Sequence, residues 1–313
     1  MRTRAIVLLG LSLAAAIAAA DAPKAAGQRA VLVTGASTGI GREITERLAA
    51  KGHFVYAGAR KDSDLAELDA MENVQAIRLD VTRPQEIAAA VATVTQGGQG
   101  LWGLVNNAGV AVTGPFAELE EEDFDFVMDV NAYGPFRVTK AFIPLVAASQ
   151  GRIVTISSIS GILSSGNLGV YSMSKHAIEA FGDSLAVQME PLGVKVSLVE
   201  PGNYNSQIGA SAAKRMGVTS TLADRSRYKE PDEVAEAVER ALFEPDPQRR
   251  YMVVPNLQEA EITIRKAIQE LVQLNEGHAY TYSREQLVGM LDEALKTARP
   301  ATPAAPPGPA DGD

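Results

Sequence analysis

The chain contains no cysteine, so it forms no disulfide, offers no thiolate metal site or cysteine nucleophile, and carries no lipoprotein anchor. Its redox compartment is unreadable from thiols, since an oxidising space would do it no harm. Histidine is scarce: His53, His176 and His278 are scattered with no His-x-x-x-His pair, and no metal is expected. Positive charge is in deficit, with 29 Lys and Arg against 38 Asp and Glu and a formal net charge of -9. Nucleic-acid binding needs clustered cations to release counterions from phosphate, so no such partner is expected and the ligands should be small molecules. The apolar run from Ala5 to Ala20 falls short of the roughly 20 residues that span a bilayer. With Arg2 and Arg4 before it and Ala18-Ala19-Ala20 ahead of Asp21, it has the layout of a secretory signal peptide. The reading is a leader over residues 1–20, a linker over 21–28, and a periplasmic or secreted mature chain without a stable membrane span. An inner-membrane anchor, or a cytoplasmic protein whose start lies further downstream, are the alternatives.

What is present is an ordinary globular composition, 46% hydrophobic and 21% charged over 313 residues, enough for one domain of about 250 residues with disposable ends. From Arg29, strand-like apolar runs alternate with helical patterns, the signature of a parallel sheet wrapped by helices. Strands are predicted over Ala30–Thr34, Phe54–Ala57, Val74–Leu79, Gly103–Asn106, Arg152–Ile156, Lys195–Val199 and Tyr251–Val254. Right-handed crossovers then make a doubly wound α/β (Rossmann) domain over 29–255. Gly52 should stop the first helix, and Thr82 with Gln85 should form a capping box for the helix reaching about Val94. Glu259–Leu274 and Arg284–Leu295 repeat apolar residues at helical spacing, predicting a helical extension over 256–297 and a Pro/Ala-rich tail over 298–313.

After the first strand comes Thr34-Gly35-Ala36-Ser37-Thr38-Gly39-Ile40-Gly41, where glycines allow a tight turn and let pyrophosphate sit on a helix N-terminus. Alone it is weak evidence, for any strand-to-helix turn could look so. Downstream stand Asn106-Asn107-Ala108-Gly109 after the fourth strand, Asn131 in the next helix, Ser158 after the fifth strand, Tyr171 and Lys175 opening the following helix, and Glu200-Pro201-Gly202 after the sixth strand. Over Arg29 to Pro255 this resembles the short-chain dehydrogenases/reductases, most of all bacterial relatives of retinol and hydroxysteroid dehydrogenases. The resemblance implies an NAD(P)-dependent oxidoreductase for a carbonyl or alcohol substrate, hydrophobic by analogy, and a homodimer or homotetramer. It also implies that Gly35, Ser37, Thr38, Gly39, Ile40 and Gly41 line the pyrophosphate and that Asp80 and Val81 flank the adenine. Asn107, Ala108 and Gly109 would support the central sheet, and Pro201 and Gly202 would close the cofactor site. Cofactor choice turns on the end of the second strand, where Ala59 replaces the usual acid and Arg60 can pair with a 2′-phosphate, so NADP(H) is favoured over NAD(H).

Tyr171 and Lys175 are four apart, which puts them on one helical face. In the family's chemistry the tyrosine exchanges the hydroxyl proton, the lysine stabilises the phenolate and binds the nicotinamide ribose, Ser158 holds the substrate oxygen, and Asn131 holds a water or backbone contact toward Lys175. Two alternatives stand beside this. A non-catalytic NADP(H) sensor would share the fold. A serine hydrolase would use Ser37 in Gly-x-Ser-x-Gly with His278 as base. Residues 203–229 are read as the variable substrate lid.

Overall fold

Strand and helix alternate as the pattern implies in a computed structural model whose described residues are 28–217 and 228–297. The segment read as a leader, part of the region read as a lid, and the Pro/Ala-rich tail lie outside them. The strands are β1 (Ala30–Thr34), β2 (Phe54–Ala59), β3 (Val74–Arg78), β4 (Gly103–Asn106), β5 (Arg152–Ile156), β6 (Lys195–Pro201) and β7 (Arg250–Val253). They form one parallel sheet in the order β3-β2-β1-β4-β5-β6-β7. This is the expected Rossmann arrangement, and the direction of winding reverses between β1 and β4, where a crevice opens at the strand ends. The helices are α1 (Gly39–Ala50), α2 (Asp62–Asp69), α3 (Pro84–Gln96), α4 (Glu121–Met128), α5 (Gly134–Ala148), α6 (Gly169–Met189), α7 (Ile208–Met216), α8 (Asp232–Phe243), α9 (Leu257–Leu274) and α10 (Arg284–Thr297). No helix among the described residues is long and apolar enough to cross a membrane.

Period-two alternation sends successive strand residues to opposite faces of the sheet. Val31 and Val33 of β1 join Val55 and Ala57 of β2 in a core closed by Ile44 and Leu48 of α1 and Val234 and Val238 of α8. Leu32 and Tyr56 face the other way, meeting Ile87 and Val94 of α3, Phe142 of α5 and Leu185 of α6. Burial on both faces is why these strands read as continuous apolar runs.

Helix ends follow the local chemistry with one exception. Gly52 takes φ +84° and its N–H bonds Ala49 O, so α1 stops there as expected. The capping box expected at Thr82 and Gln85 does not form. Thr82 instead donates its hydroxyl and its N–H to Asp80, at 2.7 and 2.9 Å, and α3 opens at Pro84 with Arg83 as an N-cap that makes no side-chain capping bond. The Asp80 carboxylate outcompetes the helix terminus for Thr82, and proline at the first position has no N–H to satisfy.

The chain divides into two compact units at Ile264 and Arg265, within α9. The first contains the sheet. In the second, Ser283 and Gln286 form a reciprocal capping box at the start of α10, and Asn275 bonds both the N–H and the carbonyl of Tyr282.

One side chain ties β1 to β4 at the crevice. The buried Thr34 Oγ1 accepts the N–H groups of Asn107 and Ala108 at 3.0 and 3.1 Å, while Asn107 Nδ2 donates to Thr34 O and Gly35 O at 2.9 and 3.0 Å. Thr34→Val keeps the shape but removes the acceptor. It is expected to lower stability by about 1–3 kcal/mol, read as a fall in the urea midpoint at unchanged slope, with Thr34→Ser avoiding most of the loss.

Candidate active site

The crevice is a cleft of about 740 Å³, and every residue expected to hold the dinucleotide, from Gly35 to Gly202, lines it together with Ser158, Tyr171 and Lys175. Its floor at one end is bare backbone. Gly35 has φ +66°, and a side chain on Gly41 would place its Cβ 2.2 Å from Gly35 O and 2.3 Å from Asn107 Nδ2. Thr38, at the N-cap of α1, makes no side-chain capping bond, so the first-turn N–H groups stay available to an anion. A phosphate-bearing dinucleotide fits this cradle, which any Cβ at Gly41 would fill.

Beyond the turn, Arg60, Lys61 and Asp64 line the rim, and Ala59 ends β2 buried. Burial pushes the Asp80 carboxyl up, but the Thr82 hydrogen bonds and the charges of Arg60 and Arg83 outweigh it and hold the group below its ordinary value. Asp80 N–H in turn donates to Glu86 at 2.7 Å, which fixes the Asp80-Val81 corner against α3.

At the other end α6 sets Tyr171 and Lys175 on one face. Lys175 is buried, donates to Ile156 O at 2.9 Å, and carries its ammonium 5.6 Å from the centre of the Tyr171 ring. Burial lowers its pKa to about 8, opposed by the charge of Glu179. Ser158 follows β5 in extended backbone; its Oγ accepts the Ser160 N–H at 3.1 Å and donates to Pro201 O at 3.4 Å. The β5 and β6 ends thereby meet at the same point as the start of α6.

Asn131 is absent from the cleft wall. It sits in a π-helical turn, Asp129–Tyr133, between α4 and α5. Its Oδ1 accepts the Val110 N–H at 2.8 Å, and its Nδ2 donates to Val110 O and Ser174 Oγ, each at 2.9 Å. Ser174 completes the chain by donating to Tyr171 O at 2.7 Å. Asn131 thus pins the loop after β4 and, through Ser174, the first turn of α6. The rival base His278 has both ring nitrogens engaged in its own unit, with Leu274 O and Tyr280 N, each at 3.1 Å.

Sequence reasoning passed over Thr34, Ser174 and Glu259. Asn256 caps the start of α9, its Oδ1 accepting the Glu259 N–H at 2.9 Å and its Nδ2 donating to Glu259 Oε1 at 3.2 Å, and the other oxygen of that carboxylate accepts the Asn203 N–H at 2.8 Å. The Asn-x-x-Glu pattern was there to be read. Ile262, one turn on, lines the cleft.

The comparisons agree with this geometry. Over 190 residues, 58% of this chain, it is 40% identical to the mitochondrial D-beta-hydroxybutyrate dehydrogenase of Rattus norvegicus, and over 183 residues it is 40% identical to retinol dehydrogenase 5 of Mus musculus. The chain spans little more than half the length of these relatives, 55% and 57%. A short-chain dehydrogenase from Streptomyces avermitilis superposes with a TM-score of 0.67 at 28% identity, covering 88% of this chain and all of that one. The short chain dehydrogenase family model matches residues 29–217, more than half of the chain, and with the glycine turn, Ser158, Tyr171 and Lys175 all on one cleft, this protein belongs to that family.

Proposed function

We propose that the cleft binds NADP(H) and that Tyr171 is the acid/base in oxidation or reduction of an apolar alcohol or carbonyl. The observation that carries this is the buried Lys175 ammonium, held by Ile156 O beside the Tyr171 ring in the cleft that the glycine turn opens. The chemistry supplied by a bound nicotinamide is hydride exchange. The chain's own residues handle the proton and the positioning. Gly35, Ser37, Thr38, Gly39, Ile40 and Gly41 would hold the pyrophosphate, and Asp80 and Val81 would flank the adenine. A phenol of pKa near 10 is a poor base at neutral pH unless a cation favours the phenolate. Lys175 is that cation at pH values below about 8, where it keeps its proton. Ser158 Oγ, anchored by Ser160, would hold the substrate oxygen, and Asn131 acts by pinning the wall of the site.

Arg60 on the cleft rim, next to the neutral Ala59, supports the choice of the phosphorylated dinucleotide. Phe126, Ile159, Leu163, Leu168, Ile208 and Ile262 give the substrate end an apolar wall, softened by the hydroxyls of Thr113, Ser160 and Ser165. Among the described residues no arginine or lysine besides Lys175 lines that end. A carboxylate would find no cationic partner besides Lys175 among those described residues to repay its desolvation.

Tyr171→Phe removes the proton but keeps the ring. Turnover is expected to fall roughly 100-fold or more with NADPH binding, read by fluorescence titration, largely intact. In the wild type, alcohol oxidation should climb with pH through one ionisation below that of a free phenol, and Lys175→Ala should move this limb to higher pH. Wild-type turnover in the phenylalanine variant would refute the assignment.

Arg60→Asp exchanges a phosphate partner for a phosphate repeller. It should weaken NADP(H) about 10- to 100-fold relative to NAD(H), measured as the ratio of kcat/KM values. A wild type indifferent between the two cofactors would remove the basis of this reading.

A panel of alcohols separates the substrate classes. Neutral apolar secondary alcohols should be oxidised with kcat/KM at least about 100-fold above 3-hydroxybutyrate, because the apolar wall of the described residues gives a carboxylate little to replace its hydration. A preference for the hydroxy acid would overturn it.

A further inference from the structure

One helical turn beyond Lys175, α6 carries Glu179, and one turn further Asp183. β6 brings Glu200 and β7 brings Arg250 to the same place. The Arg250 guanidinium lies 3.1 Å from Glu179, 2.9 Å from Asp183 and 3.2 Å from Glu200. Asp183 is half exposed, but the Glu200 side chain keeps only 3% of its surface. Three carboxylates around one guanidinium leave two negative charges over, and burial makes the second expensive.

The hydrogen-bond count points the same way. The carboxyls of Glu179 and Glu200 lie within hydrogen-bonding reach of each other. Arg250 Nε spends its hydrogen on Glu179 Oε2. As carboxylates both groups can only accept, and Glu179 Oε1 and Glu200 Oε1 are then buried without a hydrogen-bond partner, the latter despite lying 3.2 Å from Arg250 Nε. Ser157 Oγ, also buried and without a partner, points into the same place: it and Glu179 Oε1 each stand 3.0 Å from where a Cβ on Gly161 would sit. A single proton between the two carboxyls turns their contact into a hydrogen bond and removes the surplus charge.

We propose that Glu179 and Glu200 share one proton, so that the pair faces Lys175 with one negative charge instead of two, and that Glu200 is thereby a positioning residue for the acid/base centre. The second clause rests on the reading of Tyr171 and Lys175 given above; the first does not. Glu200 faces Glu179 and Asp183 from α6 and Arg250 from β7, and Glu179 passes the charge on to Lys175. Burial and the Glu179 charge hold the Glu200 carboxyl up at about 8 against the pull of Arg250. Loss of the shared proton above that pH would add a carboxylate charge that keeps Lys175 protonated. Glu200 also precedes Pro201, whose carbonyl takes the Ser158 hydroxyl.

The test uses Glu200→Gln in the full-length chain without ligand. A folded-state value raised above the unfolded 4.5 means that stability is whole below about 4.5 and is lost as pH rises toward about 8. The glutamine variant lacks this loss, so its thermal midpoint relative to wild type should rise by several degrees between about pH 5 and pH 8. In parallel, infrared spectroscopy of the wild type should show a protonated-carboxyl C=O stretch near neutral pH that fades by about pH 9 and is missing from Glu200→Gln and from Glu179→Gln. Absence of that band from the wild type overturns the shared proton, and this arm needs no variant to fold. A flat midpoint difference overturns it as well. The positioning role is read separately: loss of the Lys175 proton should turn the rise of alcohol oxidation into an alkaline fall, and in Glu200→Gln that fall should begin about 0.5 to 1 pH unit earlier, because no second charge supports Lys175. An unmoved alkaline limb with the band present sinks that role alone. Full turnover in Tyr171→Phe would sink the acid/base reading while leaving the thermal and infrared results standing.

Discussion

A primary ammonium taken out of water must be given substitutes for its lost hydration, and the arrangement around Lys175 is organised by that demand. β5 ends at Ile156, whose carbonyl is turned to the ammonium at 2.9 Å, while the next residue, Ser157, continues the pairing by donating its N–H to Val199 O. α6 has to begin two residues before Tyr171 to bring Lys175 over that carbonyl. The start of α6 is held by Ser174, which links the Tyr171 carbonyl to Asn131, and Asn131 is brought there by a π-helical turn with a wider ring than an α-helix allows. Remove the ammonium and none of these contacts has a common purpose.

Legibility in the sequence follows the same division. Periodicity located the strands to within two residues at every end, because a sheet buried on both faces demands unbroken apolar runs. The glycine turn was equally readable, since only a missing Cβ satisfies the close approach of Gly41 to Gly35 and Asn107. All of the expected dinucleotide residues meet on one cleft, as do Ser158, Tyr171 and Lys175. Contacts set by competition were not readable. Thr82 has the residue type and spacing for a helix cap, yet Asp80, two residues before it, is a stronger acceptor. Asn131 makes a backbone contact, with Val110, of the kind expected of it, but no pattern announced the π-turn that carries it or its bond to Ser174. Glu259 lies 56 residues from Asn203, and no local pattern joins the two.

That last bond reaches past its own neighbourhood. A Cβ on Gly202 would stand 2.1 Å from Glu259 Oε2 and push that carboxylate off the Asn203 N–H, so the first turn of α9 is seated directly on the loop that leaves β6. Ile262 then becomes part of the cavity wall, though it lies beyond the residues matched by the family model. One piece of the cleft wall is thus built by sequence outside the stretch that carries Ser158, Tyr171 and Lys175.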